Sequence, residues 1–325
     1  MRQTKFPVCA VNIVAHEHPA GTYERIISAA FNLHLPLSIH GDRHALIVSV
    51  DPSKELTVSG RKVMRGTMST FLDLDLDAPW FDMNNLKVIT EDKRREIQIP
   101  ESLRPNMADF HFVLDPEMHI LVCQAQTVIS GRRKHVVKLT GNMLAGFLGE
   151  LFARAPIKRE FGDIEVTPVP DRQSVEAILA AKIKKLHIFL RTPNPDDLDE
   201  IQKRIKRRMK SLKARQLEEI VSAEDGEFIS PDNELLGMAR VAALNGRVDA
   251  TIAQASGRIA PTSTSLTPAL FEVNKDARET DERATDRAAG LALDKIREFR
   301  MDANVMPTRR AGKAVRKKAT KKKAR

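Results

Sequence analysis

The sequence predicts an α+β protein with two domains of mixed sheet and helices, followed by a disordered basic tail. Short runs of alternating polarity, typical of strands, are interspersed with apolar residues at helical spacing. A polar and basic segment at 156–163 interrupts this pattern and indicates a boundary. The last seventeen residues hold ten lysines and arginines and no acid. We therefore expect domains at 1–156 and 157–301 and a disordered tail at 302–325.

The first domain opens as a strand and then a helix. Residues 8–14 form an apolar run typical of a buried strand, and apolar residues recur at helical spacing over 22–34. Further strands are expected at 37–50, 55–77, 110–114 and 119–124, the last two as a hairpin. The helix that closes this domain has a core-facing stripe formed by Leu144, Phe147, Leu148, Leu151 and Phe152.

The second domain contains a strand at 164–169, a short helix at 174–183 and a strand at 186–190. A basic helix is predicted over 195–215, with Asn194 as its N-cap and Pro195 in its first turn. Its apolar stripe is expected to comprise Leu198, Ile201, Ile205 and Leu212. Residues 234–244 fit either a helix or a strand, 248–255 favour a strand, and a closing helix is expected over 278–300.

Composition narrows the classes of protein to which the chain can belong. No run approaches the eighteen or more apolar residues of a membrane span, and we expect no membrane partner. The two cysteines, Cys9 and Cys123, lie in apolar, strand-like runs without metal-ligand spacing. Small buried thiols of this kind suit a reducing compartment, so a cytoplasmic location is expected.

The net charge of +10 comes entirely from residues 309–325, because the rest of the chain holds equal numbers of basic and acidic residues. A segment so rich in like charges, with few apolar side chains, is expected to be disordered when free and to bind polyanions. Nucleic acid is the favoured partner, because the segment has no neighbouring membrane anchor. A plain solubility tail is the alternative. The candidate contact residues are Arg309, Arg310, Lys313, Arg316, Lys317, Lys318, Lys321, Lys322 and Lys323.

The basic helix is the second nucleic-acid signal. Eight cations and no acid lie between Lys203 and Arg215. The candidate contacts with phosphates are Lys203, Lys206, Arg207, Lys210 and Lys213. The alternative is a solvated helix face. Aromatic residues make up 5% of the chain, which disfavours a platform of successive stacked bases and favours duplex DNA.

Enzymatic signals are weak, and no catalytic residue, metal site or cofactor is predicted. Asp73, Asp75 and Asp77 alternate with leucines, so a strand would place three carboxylates on one face, where a metal could bind. A half-exposed strand explains the same pattern. Nine histidines, His111 and His119 among them, permit acid or base chemistry without defining a site. The HExxH, GxSxG, phosphate-loop and dinucleotide motifs are absent.

Several local patterns resemble a bacterial and phage family known only as a domain of unknown function. They are Phe71-Leu72-Asp73-Leu74-Asp75 leading to Trp80-Phe81-Asp82, Phe110-His111-Phe112 with His119, and the helix at 142–152. The order of elements, with Phe161-Gly162-Asp163-Ile164, the Ser256 to Pro261 turn and the last helix, also resembles RexA, the phage lambda exclusion protein. The tail is not part of this resemblance. The resemblance to RexA implies a two-domain, dimeric DNA-binding protein linked to phage exclusion or defence.

These observations lead to one functional hypothesis and two alternatives. The hypothesis is a non-enzymatic, largely sequence-independent DNA-binding protein, expected to be a homodimer, with a further protein partner left open. The first alternative is an endoribonuclease or metal-dependent nuclease, and the second is an RNA- or ribosome-associated adaptor.

Overall fold

The computed structural model describes residues 3–15, 19–51, 57–100, 102–130, 134–191, 200–254 and 256–303. Strands and helices mix along the chain, so the predicted α+β class is confirmed. The predicted tail at 302–325 lies outside the described residues except for its first two positions, which end the last helix.

The strands, in chain order, are β1 (Gln3–Ala15), β2 (Leu37–His40), β3 (Arg43–Asp51), β4 (Thr57–Val58), β5 (Arg61–Lys62), β6 (Met64–Leu72), β7 (Phe81–Asp82), β8 (Lys87–Val88), β9 (Ala108–Asp115), β10 (Ile120–Gln124), β11 (Gln126–Ser130), β12 (Lys134–Lys138), β13 (Ile164–Pro168), β14 (Lys182–Arg191), β15 (Gln216–Ser222), β16 (Gly246–Ala253), β17 (Ile259–Ser263) and β18 (Leu270–Asp276). The helices are α1 (Thr22–Asn32), α2 (Glu91–Arg95), α3 (Gly141–Phe152), α4 (Ala155–Phe161), α5 (Arg172–Ala180), α6 (Glu200–Leu212), α7 (Asn233–Asn245) and α8 (Asp281–Ala303).

The larger sheet has the order β13-β1-β10-β9-β6-β3-β2, and all its pairs are antiparallel. The long strand β1 pairs along one edge with β18 over Gln3–Cys9 and with β13 over Val11–Ala15. α1 and α3 cover one face of this sheet and α8 covers the other. β1 is therefore buried on both faces, which explains its nearly continuous apolar sequence.

The smaller sheet has the order β15-β14-β16-β17 and is also antiparallel. Leu186, Ile188 and Leu190 of β14 are buried in the core that this sheet shares with α5, α6 and α7. These helices cover one face of the sheet, whereas the other face is partly open to solvent.

The two sheets do not divide the chain at a single point. β13, β18 and α8 follow the predicted boundary in the sequence but pack with the larger sheet. The segment predicted as a boundary contains most of α4, whose Ile157 is buried in the first core. The domain ranges 1–156 and 157–301 stay a prediction. What the hydrogen bonding shows is that the chain leaves the larger sheet to form the smaller one and then returns.

Several predicted elements need correction. The strand predicted through Asp77 ends at Leu72, so Asp73, Asp75 and Asp77 lie in the loop that follows β6 and not on one strand face. The ambiguous segment at 234–244 is helical. The basic helix ends at Leu212, and the next residue, Lys213, takes a positive φ of 52°. Strand β15 then begins at Gln216. The start of the predicted helix, including Asn194, lies outside the described residues.

A close approach of backbone and ring requires glycine at position 66. Gly66 of β6 pairs with Phe112 of β9, and a Cβ at Gly66 would lie 2.1 Å from the Phe112 ring and 2.7 Å from the carbonyl oxygen of Ser49. We predict that Gly66→Ala lowers the free energy of unfolding by roughly 3 kcal/mol in urea denaturation. Gly146→Ala is the control, because nothing lies within 4 Å of its Cβ and alanine favours the α3 helix. Equal urea midpoints for the two variants would contradict this packing.

Candidate nucleic-acid interface

α6 is held on the smaller sheet by a short apolar face. Ile205 and Met209 are 5% and 1% exposed and lie in the core with β14 and α7. The predicted inner position Leu212 is 60% exposed, so that expectation is wrong. Met209, four residues after Ile205, takes the core position, whereas Leu212, the last residue of the helix, stays exposed.

The cations of α6 lie on the side of the helix that faces solvent. Lys203, Arg207, Lys210 and Lys213 are exposed, and Lys206 beside them is half-buried. The first three follow i, i+4, i+7 spacing and therefore share one face of the helix. Lys203, Lys206, Arg207, Lys210 and Lys213 are called the α6 stripe below. The stripe is about 15 Å long at 1.5 Å per residue, which matches about four phosphates along one strand of duplex DNA.

Most of the stripe has no acidic partner. Within the described part of the chain, Lys206, Arg207, Lys210 and Lys213 form no ion pair. Two other cations of this region are engaged: Arg204 binds Glu234 at 2.7 Å, and Arg215 binds Asp163. The stripe therefore presents charge that a phosphate backbone could neutralise.

Asp163 joins the end of the basic helix to the first half of the chain. Its carboxylate accepts hydrogen bonds from Lys158 Nζ at 2.9 Å and from the Arg215 guanidinium. These two hydrogen bonds hold the pKa of Asp163 below its usual range. Lys158 is thereby brought beside the basic helix, a placement that sequence reasoning missed because segment 156–163 was interpreted as a boundary. Its cluster of basic residues was the available signal.

Removing the Asp163 charge should strengthen binding to polyanions. Asp163→Asn removes the ion pairs of Asp163 with Lys158 and Arg215 and one negative charge beside the stripe, and we expect duplex affinity to rise about threefold at low salt. The measurement is fluorescence anisotropy with a labelled random-sequence duplex. Asp276→Asn, an exposed aspartate at the end of β18, makes the same charge change away from α6 and should have a smaller effect. An Asp163→Asn affinity no higher than that of Asp276→Asn would contradict the assignment.

The nine candidate contacts between Arg309 and Lys323 lie outside the described residues. The structure therefore brings together the five residues of the α6 stripe, four in the helix and Lys213 directly after it, and the contribution of the tail stays a prediction from its charge.

Asp73, Asp75 and Asp77, the carboxylates of the candidate metal site, contact different partners. Asp73 binds Arg104 Nε at 2.6 Å and lies 4.0 Å from His44 Nε2, whereas Asp75 accepts a hydrogen bond from the backbone of Asp77. Across the described ranges, no group of three or more histidine, cysteine, aspartate or glutamate side chains has metal-binding geometry. None of the described helices is long and apolar enough to span a bilayer.

One cavity on the larger sheet does contain acid and base groups. It has a volume of about 290 Å³ and is lined by Arg65, Thr67, His111 and Asp286 among others. Arg65 donates two hydrogen bonds to Asp286, at 2.8 and 2.5 Å, and His111 Nδ1 lies 3.2 Å from Thr67 Oγ1. Burial raises the pKa of Asp286, although Arg65 and His111 oppose that shift.

A model of the family described as Domain of unknown function (DUF4747) matches residues 4–292. The chain belongs to the DUF4747 family. The match runs from β1 into α8, so the family region includes both sheets and α6, and it ends before the basic tail. No curated protein matches the sequence. The predicted membership of a domain-of-unknown-function family is confirmed.

Proposed function

We propose that this DUF4747 protein binds duplex DNA, largely independently of sequence, through the α6 stripe and the basic segment 309–325. The observation that carries the proposal is the set of four cations that form no ion pair with a described residue, Lys206, Arg207, Lys210 and Lys213. Lysine and arginine side chains on such a stripe can contact successive phosphates, and each contact releases condensed counterions. Contacts of this kind fix position on the duplex and read no bases.

The tail would act as a second, extended contact. Its ten cations can follow the phosphate backbone beyond the reach of a helix, and the entropic cost of ordering it is offset by counterion release. Two separate basic elements on an otherwise electrically balanced chain support this division of roles.

A salt-titrated binding assay tests the proposal. If about five phosphates are engaged, the logarithm of the duplex association constant should fall with the logarithm of salt at a slope of roughly −4 to −5. The DNA should stay intact in the presence of magnesium. A slope near zero would refute phosphate contact, and RNA that outcompetes duplex DNA at equal salt would favour an RNA- or ribosome-associated adaptor.

The biological setting is also a proposal. The resemblance in element order to RexA supports a role in phage exclusion or defence, and it supports a homodimer. The reduced, apolar setting of both cysteines supports a cytoplasmic location. Burial raises the pKa of the Cys9 thiol to about 12, which suits an inert structural residue.

Nuclease activity is the second candidate, and the cavity lined by His111 favours it. His111 could transfer a proton while Arg65 stabilises a phosphate, provided that Arg65 exchanges its Asp286 partner for the substrate. Cleavage in the binding assay that is lost in His111→Ala would support this candidate. Intact nucleic acid would leave DNA binding as the function.

A further inference from the structure

The open face of the smaller sheet carries cations around an aromatic ring. Along β14, buried Leu186, Ile188 and Leu190 alternate with residues that point away from the helices. The strand register places Arg247 of β16 directly opposite Phe189. The residues of this surface, called the Phe189 face below, are Lys185, His187, Phe189, Arg191 and Arg247.

Phe189 is flanked by two guanidinium groups. The Cζ atom of Arg191 lies 5.5 Å from the centroid of the Phe189 ring, and the Cζ atom of Arg247 lies 5.3 Å from it. A cavity of about 220 Å³ opens beside the ring, and its lining includes Thr167 of β13 and Ser265. Thr167 Oγ1 is buried there and forms no hydrogen bond with the described part of the chain. The cavity therefore combines an aromatic surface, two cations and an available hydroxyl group.

The other end of β14 also places two cations beside an aromatic ring. Phe228 is 38% exposed, and its ring lies 5.7 Å from Lys182 Nζ and 4.8 Å from Lys184 Nζ. Lys184 and Phe189 are about 17 Å apart along β14, since the strand advances five residues from one to the other. Lys182 and Lys185 form no ion pair with any described residue.

Three acids on or beside this face pair with Arg191, Arg247 and His187, and Lys185 is left without an ion pair among the described residues. Glu165 binds Arg191 at 3.2 Å, Asp249 binds Arg247 at 2.9 Å, and Glu218 binds His187 at 2.9 Å. These contacts are partly exposed, and exposed ion pairs of this kind contribute little stability, so a phosphate can compete for the same guanidinium groups.

We propose that the Phe189 face binds single-stranded nucleic acid, with an unpaired base stacked against Phe189 in the adjoining cavity. The cations of β14 and Arg247 would contact the backbone on either side of that base. Phe189 is half-buried, and the accessible part of its ring selects unpaired bases, because the faces of paired bases are hidden in the duplex stack. Guanidinium planes stack on bases as well. A short site of this kind needs one or two rings, which fits the low aromatic content of the chain.

This proposal goes beyond the duplex contact of α6 and does not depend on it. The α6 stripe and the Phe189 face lie on opposite sides of the smaller sheet, because α6 packs on the face that holds Leu186 and Ile188. The chain could therefore hold a duplex on one side and a displaced or unpaired strand on the other.

The test compares ring substitutions in the full-length protein. Fluorescence anisotropy is measured with labelled ten-nucleotide single-stranded RNA, single-stranded DNA and duplex DNA of the same sequence. Phe189→Leu keeps apolar volume but removes the ring, and we expect a loss of about tenfold in single-strand affinity with duplex affinity unchanged. Phe189→Tyr should retain single-strand binding. Phe81→Leu is the matched control, since Phe81 is 57% exposed on β7, away from this sheet.

The outcomes separate this proposal from the proposed function. Selective loss in Phe189→Leu with RNA, with DNA or with both supports the Phe189 face, and the comparison of the two strands shows whether the sugar is recognised. Equal single-strand affinity of the wild type and Phe189→Leu would overturn it, as would an equal loss in Phe81→Leu. If Phe189→Leu unfolds, the surface variant Arg247→Glu takes its place. The proposal then predicts that Phe189→Tyr keeps single-strand affinity and that Arg247→Glu loses it. Failure of the α6 prediction alone would leave this result standing.

Discussion

Replacing Arg207 and Lys210 by glutamate is expected to lower the affinity for duplex DNA on the order of 100-fold at low salt. Both side chains are exposed on one face of α6, and neither forms an ion pair with a described residue. The double variant removes two phosphate contacts and adds two like charges opposite the phosphates. The salt dependence should become shallower by about 1.8 in log-log slope, because each contact contributes about 0.9.

The matched control for this variant is the double reversal Lys295→Glu and Arg297→Glu. These residues are exposed on α8, so the control makes the same change in net charge in the same kind of secondary structure. We expect it to lose far less affinity and to keep the wild-type slope. Equal losses in the two double variants would show that net charge alone governs binding, which would contradict a defined interface on α6. Circular dichroism should show both variants to be folded, because all four side chains are exposed.

Deleting residues 309–325 is expected to have the second large effect. The deletion removes ten cations, brings the net charge of the chain to zero and should flatten the salt slope by the number of phosphates that the segment contacts. Duplex affinity should fall at least tenfold at low salt and converge with that of the full-length protein at high salt, where the screening length shortens. The measurement is the salt-titrated anisotropy of the two proteins.

A scrambled tail of the same composition is the control for the deletion. Scrambling keeps the charge and changes the order of residues, so binding should be retained if the segment acts through phosphates alone. An unchanged slope after deletion would exclude the tail as a nucleic-acid contact and would leave it as a solubility element or a site for a protein partner.

Local periodicity predicted the helices and strands whose apolar residues are spaced so that their own sequence shows which side is buried. The apolar run of β1, the stripe of α1 and α3 and the β9–β10 hairpin all follow from spacing within a few residues. In each of these elements, the spacing of apolar residues indicates the side that faces a core, and the same side is buried in the structure. The pattern did not show which partner covers that side.

The partners were hidden because they lie far apart in the sequence. β18 pairs with β1 across more than 260 residues, as in the contact between Lys5 and Glu272, and α8 covers β1 from the end of the described chain. A strand such as β18 alternates between half-buried and exposed residues, so its own sequence gives only a weak signal. A division of the sequence at residue 156 does not show that β18 and α8 pack with the larger sheet.

Some features of the candidate interface could be predicted from the sequence, and others depend on tertiary structure. The cations of α6 were visible in the sequence as a basic run, and in the helix Lys203, Arg207 and Lys210 lie on one face. The contact between Asp163 and Arg215 and the position of Phe189 between two arginines depend on tertiary structure and on the register of β14 with β16. Alternation of cations and apolar residues in β14 was present in the sequence but did not by itself indicate a binding face.

Lysine footprinting on duplex DNA tests the proposed α6 contact most directly. The full-length protein is acetylated with and without a random-sequence duplex, and the modification of each lysine is read by mass spectrometry. We predict that Lys206, Lys210 and Lys213 lose most of their reactivity when the duplex is bound, whereas exposed Lys62 and Lys295 keep theirs. Undiminished reactivity of the three α6 lysines in a protein saturated with duplex would contradict the proposed interface.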